Sequence, residues 1–220
     1  MPEEGETEIP VIDDEERLLR LGICKVRIPA SIDNEKQRWA SKLAFVSPVI
    51  MAAQGDNEYP FYRNIIEDPG LEFPIESVIS PEIEGNFAKY FGVGKRDVRL
   101  DDAFCVHYNM EQGVTSGAKH MDPSDITINL CLEKTNDVEG SHVLFYGSKP
   151  LQNVAEYEEK AAEFRFLVPQ EKGFATIHFG DHPHETTTLL NGGKRTNVIL
   201  TYCYVDKSKS DVDKRSCYFD

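Results

Sequence analysis

The chain has 220 residues, 40% apolar and 10% aromatic, with a formal net charge of −14. That is enough to bury one sizeable core, and it excludes a coiled coil, a solenoid or a wholly disordered chain. The acidic balance argues against a phosphate-backbone partner and leaves small acids or basic peptides, while no window approaches the roughly 18 apolar residues of a spanning helix.

Residues 1–17 carry eight acids against Arg17 and read as a flexible, solvated acidic tail. Asp13 to Leu21 then reads as a short helix with acids in its first turn, stopped by Gly22. A second helix is expected around Asn34–Phe45 and a third over Glu82–Phe91, closed by Gly92 and Gly94. Pro60, Pro69, Pro74 and Pro81 break up the stretch between them. Together, 18–97 is expected to be a helical and irregular support.

From residue 98 the texture changes to short runs of Val, Ile, Thr, Phe and Tyr broken by Gly, Pro, Asn and Asp. Expected strands are Ala103–Asn109, Ile126–Leu132, His142–Tyr146, Phe164–Val168, Phe174–Phe179 and Thr196–Val205, with one helix near Val154–Ala162. Strands that follow one another without alternating helices argue for a mainly β, α+β chain built on an antiparallel sandwich or barrel. The strand-rich core spans 98–205, the helical part packs outside its sheet, and 206–220 is a charged C-terminal segment. Five cysteines without a Cys-x-x-Cys pair, and no Asn-x-Ser/Thr acceptor, point to a reducing compartment, cytoplasmic or nuclear.

All six histidines fall in the strand-rich half. In an extended segment His120 and Asp122, two apart, share a face and can bind one ion together. A third ligand must come from His178, His182 or His184. Two histidines and one carboxylate leave three positions open, an arrangement suited to non-haem Fe(II) that binds a co-substrate and dioxygen. Arg195 opens the last strand after Asn191-Gly192-Gly193-Lys194, with Asn197 on the same face. A guanidinium inside a barrel mouth is costly to bury unless it meets an anion, and a dicarboxylic co-substrate supplies one.

The run Phe104-Cys105-Val106-His107-Tyr108, then His120-Met121-Asp122, Ser124 to Leu132, Gly140-Ser141-His142-Val143-Leu144-Phe145, Gly173, and His184 to Arg195 resembles the Fe(II)- and 2-oxoglutarate-dependent dioxygenases, in their prolyl-hydroxylase-like branch. The resemblance covers roughly residues 98–205. It implies a double-stranded β-helix, or jelly roll, with His120, Asp122 and His184 as iron ligands and His182 as the fallback for the third. It further implies Arg195 on the distal carboxylate of 2-oxoglutarate, Tyr108 and Asn197 near the co-substrate, and Asn129 lining its pocket.

The implied reaction consumes dioxygen, with ascorbate as an accessory reductant, and releases succinate and carbon dioxide as it hydroxylates a C–H bond. A protein or peptide substrate, at proline or lysine, suits the acidic surface, with substrate loops at 47–81 and 110–119. Two departures stand out: Gly140-Ser141 replaces Gly-Gly, and Cys131 occupies about the place of a tyrosine that reaches the distal carboxylate in some prolyl hydroxylases. Competing readings are a nucleic-acid oxidative demethylase of the same superfamily and a non-catalytic jelly-roll binding module. Cys105 and Cys131 read as core packing, and His142 and His178 as structural or surface residues.

Overall fold

The computed structural model describes residues 8–28, 61–64, 80–110 and 115–214, which form two antiparallel sheets with short helices packed against them. The expected helix Asn34–Phe45 lies outside the described residues, as do most of the proposed substrate loop 47–81 and residues 111–114 of the other. The described residues contain no helix long and apolar enough to cross a membrane.

Helix α1 spans Glu15–Leu21. Asp14 caps it by accepting from the Arg17 backbone N–H at 2.7 Å, Glu15 and Glu16 sit at its positive end, and Gly22 stops it with φ 99°. From residue 8 the acidic stretch is therefore part of the fold and not a free tail: Ile12 is buried and Val11 bridges Leu167. Helix α2, Pro81–Asn86, starts on a Ser80 cap with proline in its first turn and widens into a π turn at Phe87–Phe91 before Gly92.

The strands are β1 Cys24–Arg27, β2 Phe61–Asn64, β3 Val98–Asn109, β4 Gly117–His120, β5 Ile126–Lys134, β6 Val143–Tyr146, β7 Arg165–Val168, β8 Phe174–Phe179, β9 His184–Thr186 and β10 Lys194–Tyr204. A six-stranded sheet runs β1-β8-β5-β10-β3-β2, and a four-stranded sheet runs β4-β9-β6-β7. This is the jelly-roll arrangement. All six expected strands are present, while β1, β2, β4 and β9, of three or four residues each, were not expected.

The expected helix near Val154–Ala162 is absent, and these residues form turns and irregular chain. Their backbone groups are engaged elsewhere: Glu158 N–H donates to the Arg20 carbonyl at 3.0 Å, and the Lys160 carbonyl accepts from Ser148 at 3.3 Å. Tertiary pairing of this kind outbids a weak helical preference. The four residues Ile83, Phe87, Tyr90 and Phe91 pack on the outer face of the large sheet against Ile126, Ile128, Leu130, Ile177, Val198 and Leu200. A smaller core joins Phe145, Phe166 and Val168 of the small sheet to Leu18 and Leu21 of α1.

Candidate metal and co-substrate site

His120 ends β4 and His184 opens β9, and the two are cross-strand partners with ring centroids 4.4 Å apart. Asp122 is not on the strand face that the spacing predicts, because β4 stops at His120. A close backbone approach places it instead. Asp122 N–H donates to the Gly180 carbonyl at 2.8 Å, and any Cβ on Gly180 would lie 2.1 Å from the Ser124 carbonyl oxygen.

The result brings Asp122 Oδ1 to 3.4 Å from His120 Nε2 and 3.8 Å from His184 Nε2. These three residues form a group whose donor atoms all lie within 4.8 Å of one another. His182 is not in it: its ring sits 4.9 Å from Phe145 and 6.4 Å from Phe166, inside the smaller core.

Each nearby backbone carbonyl sets a tautomer. His120 Nδ1 lies 2.8 Å from the Ala118 carbonyl and His184 Nδ1 3.0 Å from the His182 carbonyl, so each donates there and turns Nε2 toward Asp122. Burial pushes His184 down to about 4, which keeps it neutral and able to donate a lone pair at neutral pH. Burial alone would lower His120, but the hydrogen bond and charge of Asp122 carry it above its ordinary value. Burial likewise works to raise Asp122, yet the neighbouring histidines hold its carboxyl far below the usual range.

Thr127 Oγ1, inward on β5, donates to Asp122 Oδ2 at 2.5 Å and sits 3.0 Å from Ser124 Oγ. One carboxylate oxygen is thus occupied, and Oδ1 alone faces the imidazoles. An acceptor held this way favours one-oxygen ligation and keeps further positions on a metal open.

The pocket that holds this group is lined by both sheets. Tyr108, Asn129, Arg195 and Asn197 all line it, with Phe104, Val106 and Ile199 as its apolar wall. Arg195 is 1% exposed, and its Nε and Nη1 are buried without a hydrogen-bond partner. No carboxylate among the described residues pairs with it, and its guanidinium lies 4.9 Å from the Tyr108 ring centroid. Burial lowers its basicity. An arginine this deep without an anion is an incomplete ion pair, and the donor set of the pocket fits a metal chelator with a free carboxylate at its far end.

Asn197 Nδ2 donates to Asn129 Oδ1 at 2.5 Å and to Gln170 Oε1 at 2.8 Å. Gln170, in the β7–β8 connection, is a pocket support that sequence reasoning missed, and its loop position offers no periodic signal. Thr127 was also missed, although its place two residues before Asn129 on β5 marks the same face. His107 turns away, with Nδ1 2.7 Å from Thr196 Oγ1. Burial pushes the Cys131 thiol up to about 11, so it stays protonated beside the guanidinium.

Ser141 adopts φ 53°, the left-handed conformation that glycine favours, so the Gly-Ser departure carries backbone strain. A separate groove of about 310 Å³ between α1 and residues 153–156 is lined by Leu19, Tyr90, Val154 and Glu156, away from the histidines.

No protein-family model matches the chain. A curated protein of Arabidopsis thaliana, 2-oxoglutarate and iron-dependent oxygenase domain-containing protein CP2, is 27% identical over 187 residues, which cover 83% of this chain and 43% of that protein. The chain thus spans less than half the length of this relative.

Among solved structures, an oxidoreductase of the 2OG-Fe(II) oxygenase family from Burkholderia pseudomallei superposes with a TM-score of 0.59 at 14% identity, over 90% of this chain and 95% of that one. The epimerase SnoN, in complex with Fe3+, alpha ketoglutarate and nogalamycin RO, gives 0.58 at 15% identity, over 93% and 89%. HygX from Streptomyces hygroscopicus, with nickel and 2-oxoglutarate bound, gives 0.57 at 12%, over 96% of both chains. The chain is thus similar in sequence to one 2-oxoglutarate and iron-dependent oxygenase domain protein, and it shares its jelly-roll fold with solved 2-oxoglutarate- and iron-binding oxygenases.

Proposed function

We propose that this chain is an Fe(II)- and 2-oxoglutarate-dependent dioxygenase that hydroxylates a C–H bond, with proline or lysine of a basic peptide as its substrate. The observation that carries the reading is the buried, unpaired guanidinium of Arg195 in the same pocket as His120, Asp122 and His184. His120, Asp122 and His184 hold the metal. Arg195 takes the distal carboxylate of the co-substrate, Tyr108 covers the guanidinium, and the amides of Asn129 and Asn197 line the path between.

Bound iron supplies the oxidative decarboxylation of the 2-oxo acid by dioxygen, yielding succinate, carbon dioxide and the hydroxylated product. The protein's part is to orient the chelating acid, exclude water through the wall of Phe104, Val106 and Ile199, and aim the substrate bond. The formal charge of −14 favours a basic peptide. A second reading, a small-molecule substrate, is favoured by one observation: the solved neighbour SnoN is an epimerase in complex with nogalamycin RO.

The test is succinate formation from 2-oxoglutarate with Fe(II) and ascorbate, in air and without oxygen, against His120→Ala. Oxygen- and His120-dependent succinate is expected, and its absence overturns the proposal. Basic peptides containing proline or lysine should stimulate it and gain 16 mass units of oxygen. Stimulation by small molecules alone, with no effect of any peptide, would move the substrate to the second reading.

A further inference from the structure

His178 has no part in the reading above, yet it repeats the arrangement of the two histidine ligands. It lies on β8 with its side chain 1% exposed, lines the metal pocket, and packs its ring 4.9 Å from that of His184 in a T-shaped contact. Its Nδ1 is 2.9 Å from the Phe179 carbonyl. Three imidazoles, His120, His178 and His184, are therefore locked by backbone carbonyls in one tautomer, Nδ1–H outward and Nε2 left as an acceptor. Among the described residues no protein group takes the Nε2 of His178, and the pocket is what that residue lines.

His178 nevertheless falls outside the group of donor atoms clustered within 4.8 Å. A nitrogen that lines the site but stands outside the ligand cluster is not placed to bind the ion together with those three donors. It can accept a hydrogen bond from something the ion holds. Its strand neighbours Ala175 and Ile177 point into the outer core, while His178 faces the other way, with the Phe145 ring 5.2 Å from its own on one side and the pocket on the other.

We infer that His178 is a positioning residue: its Nε2 accepts a hydrogen bond from an O–H group, water or a substrate hydroxyl, held at an open position of the metal bound by His120, Asp122 and His184. This inference rests on that metal reading. Protein–water–metal bridges of this kind fix the orientation of the bound oxygen without contributing a ligand atom of their own.

Cobalt(II) serves as the probe, because its affinity and its visible spectrum report ligand loss and ligand rearrangement separately. The variants are His178→Phe, which keeps a ring without an acceptor, His178→Gln, which keeps an acceptor, and His184→Ala. The expected result is that His184→Ala weakens cobalt binding by more than about a hundredfold, while His178→Phe weakens it by no more than about tenfold. His178→Phe should still shift the visible band of the cobalt site, and His178→Gln should restore the wild-type band.

Loss of cobalt by His178→Phe equal to that of His184→Ala would make His178 a ligand and overturn the inference. Unchanged spectra in both His178 variants would reduce it to packing and overturn it equally. Failure of the wild-type chain to bind cobalt at all would instead remove the metal reading beneath it. A second arm, the cobalt protein with 2-oxoglutarate added, locates the O–H group: a band difference that vanishes assigns a position the co-substrate takes, and one that persists assigns the position kept for substrate.

Discussion

The two faces of the six-stranded sheet are built from the same strands and do opposite things. On β5, Ile126, Ile128, Leu130 and Leu132 point outward into a fully apolar core under α2, while Thr127, Asn129 and Cys131 point inward. On β8 the outward pair is Ala175 and Ile177 and the inward pair Thr176 and His178. On β10 the outward residues are Val198, Leu200 and Tyr202, and the inward ones are Arg195, Asn197 and Ile199. The outer face satisfies itself by dispersion and area, at a gain of roughly 1.5–3 kcal/mol for each large side chain buried. The inner face keeps groups that are unsatisfied alone, Arg195 Nε and Nη1, Asn197 Oδ1 and Thr176 Oγ1 among them. A fold that buries such groups spends stability on one face that it recovers on the other, as expected of a preorganised site.

That contrast can be broken at the metal first. His184→Ala should abolish oxygen-dependent succinate formation while His182→Ala retains most of it, measured under identical iron loading. The reverse order would move the third ligand.

Arg195→Met should separate the faces most sharply, because it removes the uncompensated charge. Its 2-oxoglutarate dissociation constant should rise by about a hundredfold or more, while the ligand-free protein becomes more stable by about 1–4 kcal/mol in chemical denaturation. Destabilisation of the ligand-free variant would mean that the guanidinium already has a partner.

Ile128→Ala tests the opposite face of the same strand. It should cost about 2–5 kcal/mol in the same denaturation experiment and leave the dissociation constant for 2-oxoglutarate unchanged.

Thr127→Val removes the donor to Asp122 Oδ2 and should weaken metal binding about 10–100-fold, with Thr127→Ser close to wild type by calorimetric titration. The smallest effect belongs to Ser141→Gly, which should stabilise the chain by about 0.5–1 kcal/mol by relieving the left-handed backbone, read as a raised melting temperature.

The strict alternation on β5, read as Ile-Thr-Ile-Asn-Leu-Cys-Leu, is visible in the amino-acid order, and so are the strand β8 and the stop signals of α1 and α2. Legible too was the pairing of Arg195 with Asn197 on one face, since a period of two requires it. Where the backbone departs from a regular period the sequence is silent. Asp122 is held by a turn and the Gly180 approach, Gln170 reaches Asn197 from a loop, and the Val154–Ala162 segment gives up its helix for backbone partners at Arg20 and Ser148.

What the sequence determined alone is local and periodic: which residues alternate, where helices stop, and that two histidines and a carboxylate accompany a late arginine. Tertiary structure alone decided that Asp122 reaches both imidazoles from outside a regular strand, that His178 shares their tautomer and pocket, and that Arg195 is buried without an anion, while it sets His184, which the resemblance had chosen over His182, beside Asp122. The physical reason is that alternation fixes only the face on which a side chain emerges. Which side chains then converge, and which polar groups remain unpaired, depends on how two sheets distant in sequence are laid over each other.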